Sequence, residues 1–327
     1  MKKIYIILPD NIPLLLCGKG YTVAFNAMGL FAGQSVISEL DDNKVLNFKP
    51  DYLLFFDFDT EIENLADKIY KINENCIFIF YLTEKLKKEQ YAFIQKITNN
   101  KFKILILTAD KENLKLSDSI KYLPLGINAK KYKTEFEGYT NTINITADFV
   151  DKKSIGLFKY LYDFFEKIAF CCDETEYIKS IESKYFQDLP EDIQNAYKNS
   201  YKGNLSTEKE RSKNYSESYI NIILNNKIKS GIDFSVLEAA ASCGLVFCKE
   251  EDEVKRLFDT GHEIETFDNY ETLVQKAEFY MKYPEIGRSA GLNARRAVIN
   301  NHSVYDRAKE IIRITDKKFK TKEKNNE

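Results

Sequence analysis

Short unbroken runs of apolar residues, each followed by a longer stretch with apolar residues at helical spacing, leave this chain few architectures to adopt. Residues 3–8 (KIYIIL) run into Pro9, and consecutive apolar positions over so short a length suit a parallel strand buried on both faces. A loop carrying Gly18, Lys19 and Gly20 is expected next. Beyond it Phe25, Met28, Ala32, Val36 and Leu40 share one side of a helix expected over residues 23–40. The alternation repeats, with strands over 51–56, 76–81 and 102–107 and helices over 61–72 and 84–97. Strands separated by helices require right-handed crossovers, and hence a doubly wound, Rossmann-like parallel sheet.

The pattern then starts again. Pro124 and Gly126 punctuate a short final strand within residues 122–128 (YLPLGIN), a Lys- and Thr-rich connection spans 129–142, and residues 143–147 open a second α/β series. Residues 173–213 are polar and read as helices with loops; strands at 219–224 and 245–248 flank a helix at 234–243. From Tyr270 onward only helices are expected, the later two over 284–299 and 305–314. A chain of 327 residues exceeds what one core usually serves. The expected organisation is an α/β fold of two Rossmann-like domains, 1–140 and 141–316, with helices at the carboxyl end. The charged tail 317–327 is expected to be disordered.

Charge and composition exclude several function classes. A formal net charge of −2, with no basic stripe interleaved with aromatic residues, argues against a nucleic-acid partner. The longest apolar runs, such as 4–8 and 53–56, fall far short of the ~20 residues a membrane span needs, and no secretory leader is recognisable, so a cytoplasmic protein is expected. Cysteines stand at 17, 76, 171, 172, 243 and 248 without a CxxC pair, and His262 and His302 are the only histidines. That pattern reads as thiols in a core, and neither a metal nor a cofactor is expected.

The most informative stretch is residues 231–244 (GIDFSVLEAAASCG), followed by the apolar run 245–248. A helix starting here leaves unpaired backbone N–H groups and a positive dipole end near Phe234, Ser235 and Val236, a ready seat for a diphosphate. One turn deeper, Glu238 can accept both hydroxyls of a ribose cis-diol. Read without a ligand, the same residues form an ordinary amphipathic helix with a surface acid.

This segment resembles the donor-binding signature of family-1-type glycosyltransferases of the GT-B fold, a pattern close to F/G-x-S-x-x-E-A-x-x-x-G ahead of a buried strand. The similarity continues through residues 258–263 (FDTGHE), 267–273 (FDNYETL), 283–288 (YPEIGR), 290–295 (AGLNAR) and 302–307 (HSVYDR). That order is similar to the carboxyl-terminal domain of the spore-maturation CgeB-like glycosyltransferases, and covers about residues 215–314. Residues 122–128 resemble the segment that ends the amino-terminal domain of that family. The chain departs from the pattern where many relatives have a first glutamate seven or eight positions before the second, since Ser230 and Gly231 stand there. Residues 143–148 (INITAD) also lack the usual glycine.

The resemblance implies two domains facing a cleft, the second holding a nucleotide-sugar donor and the first an acceptor, which could be a glycan, a protein or a small molecule. A metal-free site of this kind needs a cation to neutralise the departing diphosphate. Lys202, Arg211, Lys213 and Lys229 are candidates, with Lys202 preferred because Gly203 beside it permits close approach of a ligand. His262 could touch the donor or act as a base; otherwise it is a hydrogen-bonded turn residue. Gly18, Lys19 and Gly20 are expected to line the acceptor side. No general base is identifiable. The departures motivate an alternative, a non-catalytic sugar- or nucleotide-binding protein on the same scaffold. A third reading takes Asp57 and Asp59 as a metal-binding DxD pair of the other main glycosyltransferase architecture.

Overall fold

The computed structural model describes residues 1–8, 10, 12–57, 62–84, 86, 90–92, 95–96, 102–132, 138–147, 151–224 and 231–323. Two compact units emerge, one from residues 1–128 and 302–327 and one from 129–227 and 232–301.

The first unit runs β1 (Lys3–Leu8), α1 (Ile12–Ala27), β2 (Phe31–Val36), α2 (Asp42–Phe48), β3 (Tyr52–Phe56), α3 (Ile62–Ile72), β4 (Ile77–Leu82), β5 (Lys103–Thr108) and β6 (Ile120–Tyr122). Its strands form one parallel sheet in the order β2-β1-β3-β4-β5-β6. Every residue of β3 is buried, as a central strand covered on both faces demands. One face packs Tyr5, Leu53, Phe55, Phe78, Phe80 and Ile106 against Leu65 and Ile69 of α3.

Two expectations fail here. The helix expected over 23–40 ends at Ala27, and Phe31–Val36 is the edge strand β2. Gly29, with φ 81°, turns the chain out of the helix. The helical spacing of Ala32 and Val36 is a coincidence of composition, and pairing with β1 decides the outcome. A Cβ on Gly33 would meet the Phe48 ring at 2.9 Å and the Tyr5 ring at 3.0 Å. The loop expected at Gly18, Lys19 and Gly20 is a correction too, since these residues lie inside α1. Buried Gly20 there faces Val304 and Asn128, which a Cβ would meet at 3.0 and 3.2 Å. Much of the helix expected over 84–97 lies outside the described residues.

The second unit contains β7 (Asn141–Ala147), α4 (Lys152–Tyr162), β8 (Ile168–Cys171), α5 (Glu174–Glu182), α6 (Lys184–Gln187), α7 (Glu191–Ser200), α8 (Glu208–Ser216), β9 (Ser218–Leu224), α9 (Phe234–Ala241), β10 (Leu245–Lys249), α10 (Asp252–Leu257), β11 (Glu265–Phe267), α11 (Tyr270–Lys282) and α12 (Pro284–Asn301). The parallel sheet order is β11-β10-β9-β7-β8. Counted from its own first strand, each sheet therefore runs 2-1-3-4-5, with the first unit adding a sixth. This is a doubly wound order whose switch point, where ligands settle at the carboxyl strand ends, falls between the first and third strands. In the second unit those strands are β7 and β9.

The chain finally returns to the first unit. After the parallel bridge Ile127–Ser303, helix α13 (Val304–Glu323) packs along α1. Arg307 donates to the Leu125 carbonyl at 3.2 Å and meets His302 Nδ1 at 3.1 Å. A Cβ on Gly126 would lie 2.6 Å from Arg307 Cγ, so the YLPLGIN glycine is the notch that admits this helix. The division consequently falls after Asn128 instead of near 140, and residues from His302 onward leave the second unit. Residues 317–323, expected to be disordered, are the end of α13, where Lys318 Nζ donates to the Ile104 carbonyl at 2.7 Å.

Candidate functional site

Helix α8 begins with a capping box, in which the Thr207 hydroxyl accepts from Glu210 N at 3.1 Å and the Glu210 carboxylate accepts from Thr207 N at 3.0 Å. With the start so fixed, Arg211, Ser212 and Tyr215 face inward and are buried. Arg211 Nη1 donates to the carbonyls of Leu205 and Ser206 at 3.0 and 3.3 Å, which ties the guanidinium to the loop before the helix.

Arg211 Nε donates to Glu238 Oε1 at 2.7 Å. The Tyr132 hydroxyl donates to the same oxygen. Glu238 is only 2 % exposed, Arg211 7 % and Tyr132 1 %, so the carboxylate on α9 is the hub of a buried ionic cluster. Burial raises the Glu238 carboxyl above its usual range, while the Arg211 charge and the two hydrogen bonds pull it back down. Arg211 is held firmly protonated by the Glu238 charge. Arg211 Nη2 is buried without a hydrogen-bond partner among the described residues. Glu238 Oε2 likewise makes no hydrogen bond among them.

The cluster adjoins the switch point of its sheet. Burial holds the Tyr215 hydroxyl well above its usual pKa; the nearby Glu238 charge adds to this, and Thr146, near the carboxyl end of β7, opposes it. Asn144 of β7 donates to Asn221 of β9 at 3.2 Å, and Asn221 donates to the Tyr215 carbonyl at 2.9 Å. A Cβ on Gly244 would lie 2.4 Å from Asn221 Nδ2, so the glycine ending the signature makes room for this polar pair.

The first turn of α9 differs from the bare anion seat expected. Asp233 caps it, accepting from Ser235 N at 3.1 Å through its side chain and from Val236 N at 3.2 Å through its carbonyl. An acid therefore already stands at the positive helix end. Phe234 and Val236 are buried and Ser235 is partly exposed. Lys202 is exposed, and among the described residues its side chain makes no hydrogen bond or ion pair; its N donates to the Phe170 carbonyl at 2.9 Å. It lines a recess of about 440 Å³ with Lys167 and Asn141, beside the amino ends of β7 and β8. His262 is exposed, with Nδ1 3.4 Å from an Asp259 carboxylate oxygen. Lys213 pairs with Glu217 at 3.6 Å, and Lys229 lies outside the described residues. In the first unit Asp57 accepts from Thr83 at the carboxyl end of β3, whereas Asp59 lies outside the described residues.

Thus Phe234, Ser235, Val236 and Glu238 share one helix, and the cation at its acid is Arg211. Tyr132, 106 residues before Glu238, carried no sequence signal. The visible clue to Arg211 was its capping box, T-x-x-E, which fixes the register of the helix.

Solved structures share this architecture across nearly the whole chain. A glycosyltransferase from Rickettsia africae aligns with TM-score 0.63 at 13% identity, covering 97% of this chain and 98% of that one. Anabaena HepE, solved with UDP and glucose, aligns with TM-score 0.67 at 11% identity, covering 97% and 100%. An alpha-glucosyltransferase solved with UDP gives 0.68 at 11% identity, covering 96% and 100%. The fold is GT-B. Within this GT-B chain, residues 188–313 match the glycosyl transferase-like family, a span that reaches further toward the amino end than the resemblance from 215 and includes the capping box, Arg211 and Glu238. No curated protein sequence matches the chain.

Proposed function

We propose that this chain is a glycosyltransferase that moves a sugar from a nucleoside-diphosphate donor to a hydroxyl of a glycan, protein or small-molecule acceptor, without a metal; its GT-B fold and the family match over residues 188–313 support the reading. In that reaction the bond between the anomeric carbon and the diphosphate oxygen breaks and the acceptor oxygen takes the carbon. The acceptor proton passes to a base, and the nucleoside diphosphate leaves. The observation that carries the reading is the Glu238 carboxyl group, paired with Arg211 beside the switch point of the second sheet and inside the family-matched span. Its second oxygen would accept a ribose hydroxyl, with the diphosphate near Phe234, Ser235 and Val236 of α9. Lys202 and His262 rank below Glu238 as donor contacts, since neither bonds to α9 and the recess that Lys202 lines lies at the amino ends of β7 and β8. The acceptor belongs to the first unit. The series of motifs from Phe258 to Arg307 supports placement in the CgeB-like branch. A reducing, cytoplasmic setting is supported by Cys76, Cys171, Cys172, Cys243 and Cys248 standing as thiols.

A thermal-shift panel of UDP, GDP, ADP and CDP with their sugars identifies the donor, since a ligand at a hundred times its dissociation constant stabilises by about 2.7 kcal/mol. Glu238→Gln, which keeps the shape, and Glu238→Ala should both weaken nucleotide binding by about 10- to 100-fold, the worth of a charge-assisted hydrogen bond. Unchanged affinity by calorimetry removes Glu238 from the site. Turnover should survive chelation; loss restored by manganese would instead favour the Asp57 and Asp59 reading. The Asp233 cap favours a second reading, a binder without catalysis, since its charge opposes a diphosphate at α9. That protein would show a thermal shift yet release no nucleoside diphosphate with any acceptor.

A further inference from the structure

We propose that Tyr132 is a positioning residue whose hydroxyl keeps Glu238 Oε2 away from Arg211 and available to the nucleotide. The inference rests on the donor-site reading above.

The Nε–H and one Nη2–H of an arginine lie along the same edge of a planar fork, and a carboxylate meeting that edge ordinarily takes both, one oxygen to each nitrogen. Here only half of that pairing is made. Nε reaches Oε1 at 2.7 Å, whereas Nη2 is buried without a partner and Oε2 makes no hydrogen bond among the described residues. A buried donor left unmatched beside an unmatched acceptor is a costly arrangement, and something must hold it.

Two restraints do so. Arg211 cannot turn toward Oε2, because Nη1 is tied to the carbonyls of Leu205 and Ser206. The carboxylate cannot turn toward Nη2 without giving up the Tyr132 hydroxyl, which donates to the same Oε1 as Arg211. Tyr132 is itself fixed, with its ring buried and its carbonyl accepting from Arg295 Nη1. With both donors on one oxygen, the other keeps its lone pairs for a ligand hydroxyl. Without the phenol, the carboxylate would swing into the two-toothed pair with Arg211, satisfying Nη2 and consuming Oε2.

The test is Tyr132→Phe in the full chain, titrated calorimetrically with whichever of UDP, GDP, ADP and CDP gives the largest thermal shift. The expected result is affinity about tenfold weaker, near the worth of one hydrogen bond to a charged group, with the melting temperature of the ligand-free variant equal to or above that of the parent. A merely structural tyrosine would lower the melting temperature and leave affinity unchanged, and that result overturns the proposal. Lysine has no fork, so the double variant Tyr132→Phe, Arg211→Lys should bind within about threefold of Arg211→Lys alone; a further tenfold loss would also overturn it. If Glu238→Gln binds as the parent does, or no nucleotide binds, the donor-site reading fails and this inference with it. If Glu238→Gln loses affinity while Tyr132→Phe keeps it, only the role of Tyr132 fails.

Discussion

Asp57 shows how a side chain noticed for one chemistry can matter for another. Its backbone is left-handed, with φ 52°, and Thr83 N donates to Oδ1 at 2.8 Å while the Thr83 hydroxyl donates to Oδ2. Burial outweighs these bonds and pushes the carboxyl from an ordinary 3.8 up to about 6. The folded chain therefore holds this proton between about pH 4 and 6 where the unfolded chain has lost it. Stability from this group is fully present below about pH 4 and drains away as pH rises through 6. Asp57→Asn removes the charge, keeps an acceptor for Thr83 N, and suits the left-handed backbone. Relative to the parent, the variant should gain about 2 kcal/mol at pH 7.5 and almost nothing at pH 4, allowing for the solvent that still reaches this partly exposed group. Urea melts of both proteins across that range check it, and a difference independent of pH would refute the account. At this scale a short helix signature singled out Glu238 in the sequence, though not its burial or its pairing with Arg211. The sequence did not disclose Tyr132, since nothing local records a contact made 106 positions away.

Among elements, α12 depends on glycine for its fit. A Cβ on Gly291 would stand 2.3 Å from the Cys243 carbonyl oxygen, and one on Gly287 would stand 2.7 Å from the Tyr219 hydroxyl. The helix thus lies directly on the turn that ends α9, where Cys243 itself is left-handed with φ 61°. Gly291→Ala should cost about 1–3 kcal/mol through forced displacement of backbone, more than the gain in helix propensity returns. Gly156→Ala in α4 should do the opposite, adding up to about 1 kcal/mol, because its Cβ would meet only the Tyr185 hydroxyl at an ordinary 3.4 Å. Melting temperatures of the two variants should move in opposite directions. Buried strands such as β3 and β4 were legible as unbroken apolar runs, which is what coverage on both faces requires. The edge strand β2 was not, because its partly exposed residues mimic helical spacing and its one neighbour, β1, supplies the deciding force.

For the whole molecule, repetition of one motif made the two sheets readable, and each carries the same 2-1-3-4-5 order. What periodicity could not convey is where the last helix packs, since an amphipathic stripe names no partner. The notch at Gly126 and the bond from Arg307 to Leu125 supply that answer. Ending the chain at Asn301 would strip α13 from α1 and unpair Ile127 from Ser303. In hydrogen exchange, amides of β1, β3 and β4 should then lose protection, while those of β7, β9 and β10 keep theirs. Equal loss in both sheets would show that the units do not fold separately.

That late return also orders events on the ribosome. Residues 129–301 can emerge and close their sheet while the unit begun first still waits for its final piece. The unit begun first, at the amino end, can therefore complete its packing only once α13 has been made.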